Sequence, residues 1–456
     1  MERKMNIRAL YALLFAAAAA SAQDTRTVTE PTIPPSCTVL TAQLTKGFTL
    51  ADESHPDTAR LQAAIEACPS GKSVELAPDG AKNAFLAGPF HLKAGVTLVV
   101  DKGVTLFASR IPKDYELSPG SCGVNSEAHS GCVPWITGKQ VPGAGIMGEG
   151  TIDARGGAKT LVDGKEGKSW WDLAAAAKVA GRQQVPRMIQ IDSSDNFILY
   201  KITLKNSPNF HVVYSHGDGF TVWGIKIDTP LNAKNTDGID PGASKNITIT
   251  QSYIRDGDDN IAIKAGSGPV TNMSVIHNHF YYGHGMSIGS ETSAGVSKLR
   301  VTDLSLDGTD SGIRIKSDQA VGGLVQDAIY DDICIRGSRM PIALDTDYKA
   351  NPKPGKNLIP VYQNIVLRNV RVLAGGKIVL GGFDSSHRIG IQFDGVTLDS
   401  PSMYKFDINH ADIITGPGPV NFTMAGQDAT LRKAPPNAIK TLDNCNAKFV
   451  PFPETP

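Results

Sequence analysis

The chain has 456 residues with Lys+Arg and Asp+Glu both at 45, so its formal net charge at pH 7 is zero and its overall field gives no reason to propose a nucleic-acid partner. Any anionic ligand has to be held by a local cluster. The 46 glycines and 28 prolines, with aromatics at 7%, suit a turn-rich β architecture, which often runs to this length as one domain.

Residues 1–22 read as an export signal. Arg3, Lys4 and Arg8 form a basic end, Ala9 to Ala19 an apolar run too short to cross a bilayer, and Ala20-Ser21-Ala22 a small-residue cleavage site before Gln23. No later apolar stretch has membrane-spanning length, so a secreted protein without a membrane partner is expected. An oxidising destination suits the six cysteines. Cys122 and Cys132 flank a Gly/Ser-rich segment and are expected to form a local clip, while Cys37 and Cys68 tie down the N-terminal segment. Cys334, within Ile333-Cys334-Ile335, reads as a buried small hydrophobe. The spacing shows no paired CxxC metal pattern, and no metal or cofactor is expected.

Residues 23–36, with Pro31, Pro34 and Pro35, read as an extended leader ahead of a single catalytic domain over 37–456. Asp57 to Cys68 places Leu61, Ala64, Ile65 and Cys68 on one helical stripe, predicting a short helix that caps the end of a β stack. From Ser73 the chain turns to short β runs, such as Val96 to Val100 and Val104 to Phe107. Residues 109–186 are less regular and read as loops, with Trp170-Trp171 packed against the scaffold.

After Arg187 a repeat emerges. Phe220-Thr221-Val222, Ile247-Thr248-Ile249, Met273-Ser274-Val275 and Leu299-Arg300-Val301 begin 27, 26 and 26 residues apart. That period, without a leucine-rich consensus or a helix after each strand, predicts a parallel β-helix. Four polar signatures lie inside the repeat: Asn235-Thr236-Asp237, Asp256-Gly257-Asp258-Asp259, Gly283-His284-Gly285 and Arg314-Ile315-Lys316. The steps from Asp237 to Asp258, Asp259 to His284 and His284 to Arg314 are 21, 25 and 30 residues, each near one coil. Stacked coils lie about 4.8 Å apart, so the four signatures should meet on one face. Alternation in Arg314-Ile315-Lys316 turns Ile315 inward and leaves both cations exposed together.

Carboxylates packed in this way raise the pKa of at least one member, which suits the acid and base of glycoside hydrolysis. Two cations beside them have no use on a neutral sugar and fit a sugar carrying a carboxylate. Any one signature alone is ordinary turn chemistry or a solvated strand face. Four in this order are not explained that way.

Asn-Thr-Asp, Gly-Asp-Asp, Gly-His-Gly and Arg-Ile-Lys, in this order, resemble the polygalacturonases, inverting pectin-hydrolysing glycosidases. The segments NTDGIDPGASKNITI, DGDDNIAIKAG, GHGMSIGSE and GIRIKSD extend the likeness to bacterial members. The resemblance implies an all-β, single-stranded, right-handed parallel β-helix with a short N-terminal capping helix. It implies Asp258 as general acid, Asp237 and Asp259 as the residues that hold and deprotonate water, and His284 as the residue that tunes the acid. Asn235 belongs to the same motif as a substrate-binding residue. Arg314 and Lys316 would grip galacturonate carboxylates, and Tyr348 would bind substrate, while Tyr330 packs in a coil. The expected partner is polygalacturonate or pectin, attacked by a monomer in an endo manner.

Rival readings remain. Gly285-Met286-Ser287-Ile288-Gly289 matches a GxSxG nucleophile elbow, but strand alternation continues where that motif needs a turn and a helix. A calcium-dependent pectate lyase or a non-catalytic polysaccharide-binding β-helix would share the architecture.

Overall fold

Residues 24–348, 357–435 and 445–454 are described by the structure, a computed structural model; the expected export signal lies outside them. Period-two alternation builds the scaffold. Ile239, Ile261, Met286, Ile313 and Ile342, on successive coils, are fully buried and stack through parallel pairing. Among the described residues thirty strands join in one wound sheet, whose named pairings are parallel from coil to coil: a parallel β-helix, as expected. The repeat falls in register, Phe220 pairing with Ile247, Ile247 with Met273 and Met273 with Leu299.

The predicted helix is α1, Thr58–Ala67, with Leu61 and Ile65 buried. Asp57 does not cap it with its side chain; the carboxylate accepts instead from the Leu86 N–H at 2.9 Å and Arg60 Nε at 2.7 Å, anchoring the helix to the first coils. A second helix, α2, Trp170–Ala180, lies where loops were expected. Its start is a capping box: Asp172 N–H donates to Ser169 Oγ at 3.1 Å and Ser169 N–H to Asp172 Oδ2 at 2.8 Å. Trp170 is buried edge-on against Tyr115, and Trp171 Nε1 donates to the Ser207 carbonyl at 2.9 Å.

Residues 24–35 have no regular secondary structure and are held against the outer side of the coils, with Thr248 Oγ1 donating to Asp24 at 2.7 Å and Tyr200 OH to Glu30 at 2.6 Å. Disulfides join Cys37 to Cys68 and Cys122 to Cys132 as expected. Cys334 is not a free hydrophobe; it bonds Cys445 across 111 residues. The reason is parity: Ile333 and Ile335 point into the coil, so Cys334 points outward, where residues 445–454 cover it. Asparagines at the coil starts tie neighbouring coils together. Asn272 donates to Asn246 at 3.3 Å, Asn246 to Asp218 at 2.6 Å and Asn421 to the Leu398 carbonyl at 2.7 Å.

Candidate active site

One face of the stack carries the polar chemistry. Its strands are β1 (Val212–Ser215), β2 (Ile239–Gly242), β3 (Ile261–Ile263), β4 (Met286–Ile288), β5 (Ser311–Lys316) and β6 (Met340–Asp345), paired in that order. Asp237 lies just ahead of β2, Asp258 and Asp259 ahead of β3, His284 ahead of β4, and Arg314 and Lys316 within β5. The expected convergence is present. His284 is flanked by Gly283 at φ 111° and Gly285 at φ 76°; a Cβ on Gly285 would lie 2.1 Å from the Ser311 carbonyl oxygen, so only glycine lets this turn sit so close to the next coil.

His284 Nδ1 lies 3.0 Å from Asp258 Oδ1, and the His284 N–H donates to the Asp258 carbonyl at 2.6 Å. Burial pushes the Asp258 carboxyl up, but the His284 hydrogen bond and charge, with Lys316 and Lys264 behind, outweigh it and bring it below the ordinary range. Burial likewise pushes the His284 imidazolium down, and the Asp258 hydrogen bond and charge overcome it and raise it. The two therefore hold one proton as a pair. Of the packed carboxylates, the one expected to be raised is therefore not Asp258. Asn235 Nδ2 lies 3.4 Å from Asp258 Oδ2, while its Oδ1 accepts from Gln183 at 2.9 Å.

Asp237 is 3% exposed, and its Oδ1 has no hydrogen-bond partner. Burial first, then the Asp240 and Asp258 charges, push its carboxyl far up against the opposing pull of Lys264. Asp259 is 1% exposed and fully engaged: Ser287 Oγ donates at 2.7 Å and Arg314 Nη1 at 3.2 Å to Oδ1, and Lys316 Nζ at 2.7 Å to Oδ2. Arg314 and Lys316 do share a side of the strand, as parity predicted, but they are not exposed. They are 9% and 7% accessible, because Asp259 and the Tyr348 ring, 5.2 Å from each cationic centre, cover them. Tyr330 is buried in a coil, and Tyr348 is the tyrosine that reaches the site.

Ser287 spends its hydroxyl on Asp259 within a strand that continues the coil, which removes the nucleophile-elbow reading. Ligand atoms of Asp258, Asp259 and His284 lie within 4.8 Å of one another, a spacing a metal could use. Two cations already fill the Asp259 oxygens, so this donor set opposes a divalent cation.

Residues 82–415 match glycosyl hydrolases family 28. The chain belongs to that family. It is 46% identical over 391 residues to the endo-polygalacturonase of Pectobacterium carotovorum subsp. carotovorum, covering 85% of this chain and 93% of the relative. The polygalacturonase of Ralstonia solanacearum is 38% identical, with 97% of each chain covered. Among solved structures, the polygalacturonase from Erwinia carotovora ssp. carotovora superposes with a TM-score of 0.75 at 41% identity, over 92% of this chain and all of that one.

Asp240 and Lys264 of this family 28 chain lie outside the four signatures, and Asp256, inside one of them, carries no role in the sequence pattern. Lys264 Nζ lies 3.4 Å from Asp237 Oδ2 and 3.6 Å from Asp240 Oδ2, and Asp256 is buried, with Oδ1 accepting the Asp258 N–H at 3.2 Å. The signal for two of them was available. Ile239-Asp240 and Ile263-Lys264 continue the inward–outward alternation that was read only in Arg314-Ile315-Lys316.

Proposed function

We propose that the protein is a secreted, monomeric endo-polygalacturonase that hydrolyses α-1,4 bonds between galacturonates by single displacement with inversion. The observation that carries this reading is the proton-holding Asp258–His284 pair on the same face as the buried, high-pKa Asp237 and the doubly ion-paired Asp259. In the reaction, the Asp258–His284 pair gives its proton to the leaving glycosidic oxygen as the bond to the anomeric carbon breaks. A water oxygen bonds that carbon from the opposite side, and Asp237 takes the proton the water sheds. Asp237 acts as that base in its ionised form, the form that Lys264 favours against burial. Asp259, saturated by cations, orients the water. Arg314 and Lys316 attract the substrate carboxylate, Asn235 contacts the sugar at the Asp258 end, and Tyr348 closes over the cations.

Export is supported by the basic and apolar opening of the chain and by three disulfides. Endo action is supported by likeness to proteins so described. Asp258→Asn tests the reaction: kcat on polygalacturonic acid should fall by about 100-fold or more while substrate binding persists. The wild type should release reducing ends without an absorbing unsaturated product and should ignore EDTA. Full activity in the variant would end the acid assignment, and an unsaturated, EDTA-sensitive product would replace hydrolysis with elimination. Random early shortening of the polymer supports endo attack; monomer or dimer alone from the first minutes overturns it.

A further inference from the structure

Behind the family signatures lies a second charged layer. Asp240 sits on β2 three residues after Asp237, pointing outward between the buried Ile239 and the strand end, and is 2% exposed. Lys264 follows β3 and bridges Gly242 of β2. Its ammonium stands between the two carboxylates, 3.4 Å from Asp237 Oδ2 and 3.6 Å from Asp240 Oδ2, with the Phe210 ring 5.1 Å away. Neither oxygen of Asp240, nor Oδ1 of Asp237, has a hydrogen-bond partner. Two buried carboxylates thus share a single ammonium, which can balance the charge of only one.

We propose that Asp240 and Lys264 are positioning residues that set the charge of Asp237: Lys264 stabilises one negative charge in the layer, and Asp240 competes with Asp237 for it. The proposal rests on the reading of Asp237 as the base. The groups facing Asp237 are Asp240 from β2, Asp258 and Asp259 from the turn before β3, and Lys264 from the end of β3. His211 Nδ1–H donates to the Asp237 backbone carbonyl at 3.0 Å while its Nε2 accepts from Thr229 at 2.8 Å; burial lowers that imidazole to about 4, so it is neutral and adds no charge. Arg187 faces Asp240, and Glu291 faces Lys264. Burial pushes Asp240 up to about 7, Lys264 pulling the other way, so the competitor exchanges its proton within the ordinary working range. The titration therefore belongs to the pair, not to either aspartate alone.

The signs follow. Removing the ammonium takes away the cation that both carboxylates share and leaves only Arg187, which faces Asp240, so Asp237 keeps its proton to higher pH. Removing the competitor gives Asp237 the whole of the ammonium, so it ionises at lower pH. Lys264→Met should therefore move the acidic limb of kcat/KM to higher pH and Asp240→Asn to lower pH, and Lys264→Arg should restore the wild-type limb. A limb shift of one unit is about a tenfold change at a fixed pH on that limb.

The experiment pairs these pH profiles with a carbon-detected NMR titration of the Asp237 carboxyl in each full-length variant. Opposite displacements of the Asp237 titration in Lys264→Met and Asp240→Asn support the proposal; unchanged titration, or displacement in the same direction, overturns it. If Lys264→Met does not fold, Asp240→Asn and Lys264→Arg carry the test, and an unmoved Asp237 in Asp240→Asn overturns it. Should the titration move as stated while the acidic limb stays fixed, the charge-setting layer stands and the assignment of Asp237 as base falls.

Discussion

Lys316→Met should be costly to stability well before its effect on substrate is considered. Lys316 Nζ donates the one hydrogen bond that reaches Asp259 Oδ2 among the described residues, at 2.7 Å, and the two side chains are 9% and 1% exposed. Severing a buried ion pair by removing one partner costs about 3–5 kcal/mol, because the other charge stays buried. Arg314 and Ser287 remain on Oδ1, so the cost falls at or just below the lower end of that range, about 2–3 kcal/mol. Arg314→Met should cost less, since its 3.2 Å contact leaves Oδ1 with the Ser287 hydroxyl. In an Asp259→Asn background the cost of Lys316→Met should shrink, giving a coupling of about 2 kcal/mol in a double-mutant cycle read by urea unfolding with several probes. A cost below about 0.5 kcal/mol, the range of an exposed pair, would refute the reasoning and return Lys316 to the substrate as a free cation.

Further outcomes concern the titrating groups. The His284 pair stabilises the fold most between the ordinary carboxyl value of 3.8 and the ordinary imidazole value of 6.5: the raised His284 contribution is complete below 6.5 and fades as pH rises through its folded value, and the lowered Asp258 contribution fades as pH falls below 3.8. The Tm difference between wild type and His284→Asn should follow that window, and a difference flat across pH would contradict it. Asp256 is the opposite case. Burial raises it well above 3.8, so its ionisation opposes folding as pH rises, and Asp256→Asn should gain Tm over wild type from acid to neutral pH. Asp256→Ala should instead lose about 1–3 kcal/mol by leaving the Asp258 N–H without its acceptor, and equal losses in both variants would overturn this account.

Much of the fold is written in local pattern. The openings at Phe220, Ile247, Met273 and Leu299 pair residue for residue because a strand with one buried face cannot slip register without turning its isoleucines to water. Parity in Arg314-Ile315-Lys316 gave the side of the strand correctly and the exposure wrongly. Alternation says which way a side chain points, but whether it meets solvent depends on Asp259, 55 residues from Arg314, and on the ring of Tyr348. Cys334 shows the same limit: its outward direction was readable in Ile333-Cys334-Ile335, while its partner at Cys445 was set by the return of the C-terminal segment. Helix α2 lies in a stretch whose Gly-rich flanks read as loop, although Ser169 and Asp172 spell a cap. The Lys264 layer was missed because Asp240 and Lys264 stand outside the four signatures, though each follows an inward isoleucine.

The central claim is single-displacement hydrolysis by carboxylates on this face, and the configuration of the newly formed reducing end tests it most directly. Proton NMR of α-1,4-linked oligogalacturonate taken within the first turnovers, before mutarotation, should show the β-anomer appearing first. Initial release of the α-anomer would mean a covalent intermediate and a retaining mechanism, and would contradict the single-displacement proposal.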